Sequence, residues 1–492
     1  MNTETTVLKE ERKTMQAIYP AEAYADLHPI PLRFFIRGED YEGTQVQLPG
    51  RNTSLALASP DPAELLDDII LRDPESLHRD FQGVTVQDII DFLVETGKAL
   101  AFDRNPFMQE AYRISASLSG LTAPILEACY RQVPSFFTEP VLRSIVENEI
   151  GSRFLDGWVE IPVLTGRARV RAYGARTLHI IAGNVPIIAA LTIVRGALLK
   201  SDNIIKVPSN DPATAPAILS TMRDIDRHHP IVKHFAAAYW KGGDQRIERS
   251  LINPAYLEKI IAWGGPASIQ HIKGMVGPGI DLITLDPKFS ISIIGEEAFR
   301  SEATMKHVAS LGAIDSSTFN QEACLSSRTH FVKATPQEAL QYAGYLYQSM
   351  QRQDPSLSTR PKSFPGELKE QLDALRYMED FYQVIGGEDE EGAVVVSLTG
   401  DPVEFFPSHK TVNVVPIEDF APVIERVTMA TQSVGVYPES LKERLMDSLV
   451  ARGVQRFVSL GKGPFALPGV PQDALELMRR ACKWIVDEIN PG

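Results

Sequence analysis

Cysteine is scarce in this sequence, and its scarcity excludes several kinds of protein. The 492 residues include three cysteines, Cys129, Cys324 and Cys482, separated by long stretches of chain. An odd number of isolated cysteines does not fit a disulfide framework or a cysteine-based metal centre. We therefore expect no bound metal and a reducing, cytoplasmic setting.

Acidic residues outnumber basic ones, and the sequence has no long uninterrupted apolar segment. The formal net charge of -14 argues against a nucleic-acid partner, because phosphate contacts require a basic surface. The N-terminal sequence MNTETTVLKEERKTMQ is polar and contains no apolar segment of the signal-peptide type. The most apolar stretch, 178–199, is interrupted by Asn184, Pro186 and Arg195, so it indicates a buried core rather than a membrane span.

The usual motifs of nucleotide and metal sites are missing as well. The sequence has no G-x-G-x-x-G after a predicted strand, no P-loop, no H-E-x-x-H and no C-x-x-C. The nearest substitute is Gly264-Gly265-Pro266, which places two residues without a Cβ before a helix whose N-terminus can face a phosphate. A plain structural turn is the alternative interpretation.

What the sequence does contain is a regular alternation of strands and helices. Residues 157–174 alternate around a Thr-Gly turn and predict a β-hairpin. Predicted strands at 178–182, 203–207 and 259–263 each lead into a helix, which indicates a mostly parallel, doubly wound sheet. A second α/β region begins near residue 282.

Local signals predict further elements near the two ends of the chain. Asp61-Pro62 indicates the start of a helix, and Thr85 with Asp88 predicts a capping box. The segment 471–489 has a helical periodicity and predicts an amphipathic helix.

Cys324 differs from the other two cysteines in its sequence surroundings. Small and polar residues flank it in SSTFNQEACLSSR, whereas Cys129 and Cys482 lie on helical patterns and are predicted to be structural. A nucleophilic role requires a thiolate, which a nearby cation or helix N-terminus would favour. An inert buried thiol is the alternative.

Asn184 follows an apolar strand and directly precedes Val185-Pro186. A buried amide at this point costs free energy unless its donors are used. One use is hydrogen bonding to an oxyanion, and capping of the following helix is the alternative.

Four segments, in this order, resemble those of the aldehyde dehydrogenase superfamily: IIAGNVPI, GALLKSDNIIKVPSNDP, IIAWGGPASI and FNQEACLSSR. Three segments resemble, more specifically, those of the LuxC-type acyl-CoA reductases: the N-terminal IPLRFFIRG, NQEACLSSR and SHKTVNVVPI. The resemblance implies an α/β, aldehyde-dehydrogenase-like fold of two doubly wound domains. It also implies a β-hairpin that pairs subunits in a homo-oligomer.

The resemblance divides the chain into named parts. They are N-terminal strands with a lead-in at 1–75, a cofactor-binding domain at 76–155 and 175–281, the oligomerisation hairpin at 156–174, a catalytic domain at 282–455, and a C-terminal strand and helix at 456–492.

The same resemblance implies roles for the two candidate catalytic residues. Cys324 would attack the acyl thioester and release CoA, while Asn184 and the backbone N–H of Cys324 would hold the oxyanion. His409, His330 and Asp286 are candidates for the general acid or base. A single histidine is more often a structural residue whose hydrogen bonds are satisfied, which is the alternative for both histidines.

The implied cofactor is NADPH. Lys206 and Ser209 would contact the adenosine ribose or its phosphate, and Gly264 with Gly265 would accommodate the pyrophosphate. Glu404 in VEFFP would correspond to the glutamate that binds the nicotinamide ribose, although its spacing to KTVNVVPI differs from that of the family.

Two departures from the superfamily pattern favour a reductase that uses NADPH. Asp286, in TLDP, stands where hydrolytic members carry the glutamate that activates water. Its loss suits an enzyme that must keep water from its acyl-enzyme. Ser209 occupies the position at which an acidic residue often binds both ribose hydroxyls. Without that negative charge, the cofactor site tolerates a 2′-phosphate on the ribose.

The sequence therefore predicts the NADPH-dependent reduction of a long-chain acyl-CoA to a fatty aldehyde through a thioester on Cys324. The expected partners are acyl-CoA or an acylated partner protein, and an acyl-protein synthetase. Two alternatives stay open: a hydrolytic NAD(P)-dependent aldehyde dehydrogenase, in which Asp286 replaces the glutamate, and a catalytically inactive scaffold.

Overall fold

The computed structural model describes residues 29–49, 55–164 and 166–489. Of the predicted lead-in at 1–30, residues 1–28 lie outside these ranges. Two compact units make up the chain. Unit 1 comprises Met1–Ser119, Tyr130–Leu285 and Glu476–Gly492, and unit 2 comprises Gly120–Cys129 and Asp286–Leu475.

Twenty strands and eighteen α-helices are numbered here in chain order within the described ranges. The strands are β1 (Ile30–Pro31), β2 (Arg33–Ile36), β3 (Glu39–Glu42), β4 (Val46–Pro49), β5 (Ala56–Ser59), β6 (Val159–Val163), β7 (Gly166–Tyr173), β8 (Arg176–Ile180), β9 (Asp202–Lys206), β10 (Phe235–Ala238), β11 (Lys259–Trp263), β12 (Asp281–Leu285), β13 (Phe289–Ile294), β14 (Ser327–Lys333), β15 (Tyr382–Gly386), β16 (Ala393–Ser397), β17 (Thr411–Ile417), β18 (Thr431–Tyr437), β19 (Arg456–Ser459) and β20 (Lys483–Ile489). The helices are α1 (Leu66–Ile69), α2 (Pro74–Asp80), α3 (Val86–Ala99), α4 (Pro106–Leu118), α5 (Ala123–Gln132), α6 (Glu139–Glu149), α7 (Ser152–Asp156), α8 (Ile187–Leu198), α9 (Thr214–Ile225), α10 (Pro230–Lys233), α11 (Gln245–Leu251), α12 (Pro266–Met275), α13 (Glu302–Ser317), α14 (Pro336–Gln351), α15 (Gly366–Arg376), α16 (Ala421–Arg426), α17 (Glu439–Val450) and α18 (Leu477–Ala481).

Unit 1 is built on a seven-stranded sheet with the order β12-β11-β8-β9-β10-β2-β3. The five strands from β12 to β10 run parallel, and β2 and β3 extend the sheet antiparallel. Since β9 follows on one side of β8 and β11 lies on the other, the winding reverses at β8. In a doubly wound sheet this reversal opens a crevice at the carboxyl ends of the strands, where ligands bind.

The helix that follows β8 packs closely against this sheet. Ten of the twelve residues of α8 are buried. A Cβ added at Gly196 would lie 2.4 Å from Oδ1 of Asn203 on β9, so only glycine permits this approach of helix to strand. The close packing fixes the direction in which the β8–α8 loop leaves the sheet.

Unit 2 contains a second seven-stranded sheet, with the order β15-β16-β17-β14-β13-β18-β19. All neighbouring pairs are parallel except β15 with β16. Side chains such as Met305 and Leu346 from α13 and α14 cover one face, and Val423 and Leu441 from α16 and α17 cover the other. Both faces are therefore buried, as expected for a parallel sheet.

Several predicted elements are confirmed. The strand predicted at 259–263 coincides with β11, and the strands predicted near 178 and 203 correspond to β8 and β9. The capping box of Thr85 and Asp88 opens α3. The predicted hairpin is formed by β6 and β7, and its role in oligomerisation stays a prediction.

The predicted boundary at residue 282 falls within β12. This strand pairs with β11 in the sheet of unit 1, and the division between the units follows Leu285.

The amphipathic helix predicted at 471–489 is wrong. Only Leu477–Ala481 is helical, and β20 follows it, pairing antiparallel with β7 in a three-stranded sheet with the order β20-β7-β6. The segment KWIVDEI contains β-branched and aromatic residues, and pairing with a distant strand overrides its helical periodicity.

The helix predicted to open at Asp61-Pro62 is also wrong. Residues 62–65 form turns, and α1 begins at Leu66 and lasts four residues. Asp61 instead accepts a hydrogen bond from the backbone N–H of Ala63 and pairs with Arg246 at 3.2 Å.

Within the described ranges, none of the helices combines the length and the apolar character needed to cross a membrane.

Candidate active site

Cys324 lies on a loop between α13 and β14 whose backbone is strained. Phe319, Asn320 and Gln321 have φ values of 56°, 50° and 66°, so three consecutive residues with side chains adopt the left-handed conformation. Each such residue costs of the order of 1 kcal/mol. Strain of this size persists only where the surrounding structure fixes the loop.

Hydrogen bonds from the buried side chains of this loop hold it in place. Asn320 accepts a hydrogen bond from the backbone N–H of Thr359 at 2.9 Å, and Gln321 donates to the carbonyl of Thr411 at 2.8 Å. Ser290 on β13 donates to the carbonyl of Cys324 at 2.8 Å. These hydrogen bonds therefore connect the loop to the amino ends of β13 and β17.

The position of this loop differs from the general rule for doubly wound sheets. Cys324 lies three residues before the start of β14, and Ser290 and Thr411 lie at the beginnings of their strands. The candidate nucleophile of unit 2 therefore lies at the amino ends of the strands rather than at their carboxyl ends.

The three cysteines differ in accessibility. All of them lie in the described residues and are free, with Cys324 exposed and the other two buried. Cys129 and Cys482 are 1% and 2% exposed, which supports their predicted structural role. The alternative of a buried, inert Cys324 is not supported.

Opposing interactions set the pKa of the Cys324 thiol. Although solvent reaches the side chain, the protein around it limits the hydration of a thiolate, and this burial raises the pKa, as does the negative charge of Asp473. A polar interaction with Gln432 and the positive charge of Arg328 act in the opposite direction. The net effect is a pKa above the usual value for a thiol.

Two arginines, the buried Arg328 and the half-buried Arg456, supply positive charge near Cys324. Arg328 donates to the carbonyls of Gln321 and Pro407, and Arg456 donates to the carbonyl of Gly463 at 2.6 Å. Among the residues that the structure describes, neither guanidinium forms an ion pair with a carboxylate. Burial lowers the pKa of Arg328 to about 10, which still leaves it charged at neutral pH.

The candidate acids and bases occupy different surroundings. His330 is fully buried, with one ring nitrogen 2.8 Å from Oγ of Ser316 and the other 3.0 Å from the hydroxyl of Tyr342. Burial lowers the pKa of His330 to about 3, so the ring is neutral. These contacts support the alternative interpretation, a structural core histidine.

His409 and Glu404 lie on the loop between β16 and β17. His409 is half-buried with a left-handed φ of 54°, and its Nδ1 is 2.9 Å from Oγ of Ser408. Burial and the positive charge of Arg328 lower the pKa of His409. Glu404 is exposed, and so is Asp286, which follows β12. The proposed roles of all three residues stay predictions.

The remaining candidates lie in unit 1 at the carboxyl ends of adjacent strands. Asn184 follows β8, Lys206 ends β9, and Gly264 follows β11. Because β8 pairs with both β9 and β11, the sheet brings these three loops together at the point where its winding reverses. Pro186 occupies the N-cap position of α8, so Asn184 is not the capping residue.

Lys206 lies half-buried beside aromatic rings. Its Nζ is 5.5 Å from the ring centre of Trp240 and 6.0 Å from that of Tyr239. Burial lowers the pKa of Lys206 to about 8, against the negative charge of Glu248, which raises it. Burial raises the pKa of the nearby Tyr239 hydroxyl, and an interaction with Ser209 acts in the opposite direction.

The glycine turn after β11 leaves room for a ligand at the N-terminus of α12. A Cβ added at Gly265 would meet no described atom within 4 Å, and no described side chain caps this helix. Its first N–H groups are therefore available to a phosphate. The open turn and the positive charge of Lys206 suit the phosphates of a nucleotide cofactor.

Four residues around Cys324 are not among the candidates predicted from the sequence: Arg328, Gln432, Arg456 and Asp473. Gln432 is 5% exposed, and a polar residue inside the strand TQSVGVY was the available signal. Nothing in the sequence indicates that Arg456 and Asp473 lie near the nucleophile, since only the tertiary fold brings them there.

Comparison with known proteins defines the class and then the family. The aldehyde dehydrogenase 21 of Physcomitrella patens, in complex with succinate, matches with a TM-score of 0.69 and 10% identity, over 94% of this chain and 98% of that one. The NADP-dependent glyceraldehyde-3-phosphate dehydrogenase of Bacillus halodurans C-125, in complex with NADP, matches with a TM-score of 0.68 and 12% identity, over 93% of this chain and 98% of that one. The fold is aldehyde-dehydrogenase-like.

The sequence profile of the acyl-CoA reductase (LuxC) family matches residues 82–484. The chain belongs to this family, and it is accordingly an oxidoreductase. The long-chain acyl-protein thioester reductase of Vibrio harveyi is 24% identical over 417 residues, which cover 84% of each chain. That of Aliivibrio fischeri is 28% identical over 357 residues, which cover 71% of each chain.

Proposed function

We propose that this protein reduces a long-chain acyl thioester to an aldehyde with NADPH, through an acyl-enzyme on Cys324. The observation that carries the proposal is the exposure of Cys324 on a strained loop, while the other two cysteines are buried. Membership of a reductase family supports the direction of the chemistry. The names of the two bacterial relatives support a long acyl chain held as a thioester on a protein.

The first half of the proposed reaction is acyl transfer. The Cys324 thiolate attacks the acyl carbon and forms a new C–S bond, and the C–S bond to the donor breaks, so that the donor leaves as a thiol after taking up a proton. Asn184 donates a hydrogen bond to the oxygen that becomes negative during the attack. The donor is CoA or a protein thiol, and the chemistry at Cys324 is the same for both.

The second half of the proposed reaction releases the aldehyde and regenerates the free thiolate of Cys324. A reduced nicotinamide supplies one hydride to the acyl carbon when it is bound. Asn184 again stabilises the negative oxygen, and Cys324 leaves as its C–S bond breaks and the aldehyde C=O forms. Over both halves, thioester, NADPH and one proton give aldehyde, NADP⁺ and thiol.

Residues of unit 1 would hold the cofactor. The N-terminus of α12 with Gly264 and Gly265 suits the pyrophosphate, and Lys206 with Ser209 suits the ribose and its phosphate. Glu404 of unit 2 is proposed for the nicotinamide ribose.

A single assay tests the proposal. NADPH consumption is measured with short, medium and long acyl-CoA and with an acylated protein thioester, and the aldehyde is trapped. We expect aldehyde in proportion to the NADPH oxidised, with the highest rate for long chains. Release of free fatty acid, or oxidation of aldehyde to acid without CoA, would instead support the hydrolytic alternative. Failure of acyl thioesters to add mass to the protein would support an inactive scaffold.

The preference for NADPH depends on Ser209 in this proposal. We expect Ser209→Glu to weaken NADPH binding at least tenfold, because a carboxylate beside a phosphate costs a few kcal/mol at an effective dielectric constant of about 20. NADH, which lacks the 2′-phosphate, should be affected less. The measurement is the ratio of the two dissociation constants by fluorescence titration.

Ser209→Gln is the matched control, because it has the size of the glutamate without its charge. It should leave the NADPH:NADH ratio within about threefold of that of the wild type. Equal weakening by both substitutions would mean that crowding, and not charge, is responsible.

A further inference from the structure

Two loops of unit 1 meet next to the residue proposed for the oxyanion. One loop follows β8 and carries Gly183 and Asn184, and the other follows β9 and carries Ser209 and Asn210. Nδ2 of Asn210 donates a hydrogen bond to the carbonyl oxygen of Gly183 at 2.9 Å, across 27 residues of sequence. The amide of Asn210 therefore connects the loop proposed for the cofactor with the loop proposed for the oxyanion.

This hydrogen bond acts on the peptide group that leads into Asn184. The carbonyl of Gly183 and the backbone N–H of Asn184 belong to one planar unit, so a donor that holds the carbonyl also holds the plane. The side chain of Asn184 is attached to the next Cα, and its direction depends on the orientation of that plane. An oxyanion donor must point to the place where charge develops, and small errors in its position have large effects on the rate.

The close approach of the two loops requires glycine at residue 183. A Cβ added at Gly183 would lie 2.3 Å from Oδ1 of Asn210 and 2.5 Å from Cγ of Pro208. The backbone of the first loop therefore packs directly against the side chains of the second. Oδ1 of Asn210 is buried and has no hydrogen-bond partner among the described residues. The hydrogen bond to Gly183 is thus the contact that orients this amide.

Asp211, the residue after Asn210, anchors the second loop. It is 4% exposed, and its Oδ1 accepts hydrogen bonds from the hydroxyls of Thr214 at 2.5 Å and Ser115 at 3.1 Å. The hydroxyl of Tyr130 lies 2.6 Å from that of Thr214 and 3.0 Å from that of Ser115. This closed set of buried hydrogen bonds attaches the loop to α4 and to Tyr130. The amide that reaches the first loop therefore extends from a fixed base.

We propose that Asn210 is a positioning residue that acts through Asn184. Its amide holds the carbonyl of Gly183, and the side chain of Asn184 is thereby kept in the direction that the oxyanion requires. This assignment deepens the proposed function and rests on it for the role of Asn184. The connection between the two loops can be measured without substrate or cofactor.

The first measurement is amide hydrogen exchange of the full-length protein, followed by mass spectrometry of peptides that cover 182–187. Asn210→Ala removes the donor and keeps the anchor at Asp211. We expect exchange in 182–187 to become at least about tenfold faster, because the released loop opens more often. Peptides that cover 259–265 should exchange at the rate of the wild type. Unchanged exchange of 182–187 would overturn the proposal.

Asn105→Ala is the matched control. Asn105 is 4% exposed, caps α4 in the same unit, and donates from its Nδ2 to the carbonyl of Ala99, also at 2.9 Å. Loss of this cap lowers the stability of the protein, but the hydrogen bonds described for Asn105 involve neither loop. Exchange of 182–187 and turnover should stay within about twofold of the wild type. An effect as large as that of Asn210→Ala would mean that lost stability, and not positioning, is responsible.

A double-mutant cycle tests whether Asn210 acts through Asn184. Asn210→Ala should lower turnover about ten- to a hundredfold, the range for displacement of a catalytic group. In the Asn184→Ala background the same substitution should change turnover less than about threefold, because the group that it positions is absent. Losses that multiply in the double variant would overturn the positioning role.

The two measurements separate this proposal from the proposed function. If exchange of 182–187 responds to Asn210→Ala and the wild type reduces no acyl thioester, the proposed function fails and the connection between the loops stands. If the wild type is active and exchange of 182–187 does not respond, the assignment of Asn210 fails and the proposed function stands.

Discussion

Replacing Cys324 with alanine is expected to abolish aldehyde formation and to leave NADPH binding nearly unchanged. The reason is that the sulfur forms the covalent bond to the acyl group, and no other described residue offers an exposed thiol. Apart from Glu404, the residues proposed for the nucleotide lie in unit 1, whereas Cys324 belongs to unit 2. The measurements are the rate of trapped aldehyde, the dissociation constant for NADPH, and the intact mass after incubation with acyl thioester without NADPH.

Cys482→Ala is the control for this experiment. Cys482 is 2% exposed, and its Sγ lies 3.4 Å from the carbonyl of Arg479, so it belongs to the packing near β20. This variant should still gain the mass of one acyl group and still form aldehyde. Aldehyde formation that persists in Cys324→Ala would reject the covalent route, because hydride transfer would then occur on the donor thioester itself.

The features of this fold that could be predicted from the sequence are those that local interactions determine. Two glycines directly follow the strand β11, and the capping box of α3 needs only Thr85 and Asp88. The hairpin of β6 and β7 likewise joins neighbouring segments. Periodicity and turn residues carry the signal in each case, and distant parts of the chain do not change it.

The C-terminal strand could not be predicted in this way. Residues 483–489 have a periodicity that suits a helix, but all seven of them pair with residues of β7 along the edge of that strand. Strand preference depends on the partner more than helix preference does, and this partner lies in a remote part of the sequence. The local pattern therefore predicts a helix where the structure has a strand.

Only those residues of the candidate site that lie in sequence motifs could be predicted. Cys324 and Asn184 stand in recognisable segments, and the structure exposes the first and places the second at the point where the winding of its sheet reverses. Gln432 and Asp473 belong to no motif. Their contact arises because the beginning of β18 and the turn at 472–475 meet in the folded chain. Such a contact is a property of the packing and not of any local spacing.

Replacing Asn184 with alanine is expected to lower turnover by about two to three orders of magnitude. Loss of a single oxyanion donor has an effect of this size, because the hydrogen bond strengthens as charge develops on the oxygen. Both halves of the proposed reaction pass through a negative oxygen, so the acylation of Cys324 and the release of aldehyde should both slow. Asn148→Ala, on the exposed surface of α6, is the control and should retain full turnover.

The alkylation of Cys324 distinguishes a lost oxyanion donor from a distorted site. Iodoacetamide reacts at a carbon that carries no developing oxyanion, so Asn184→Ala should alkylate at the rate of the wild type and with the same pH midpoint. A variant that loses turnover and alkylation together would instead have a disturbed Cys324 loop. A loss of turnover below about tenfold would remove Asn184 from this role, because an oxyanion donor with so small an effect would not differ from an ordinary hydrogen bond.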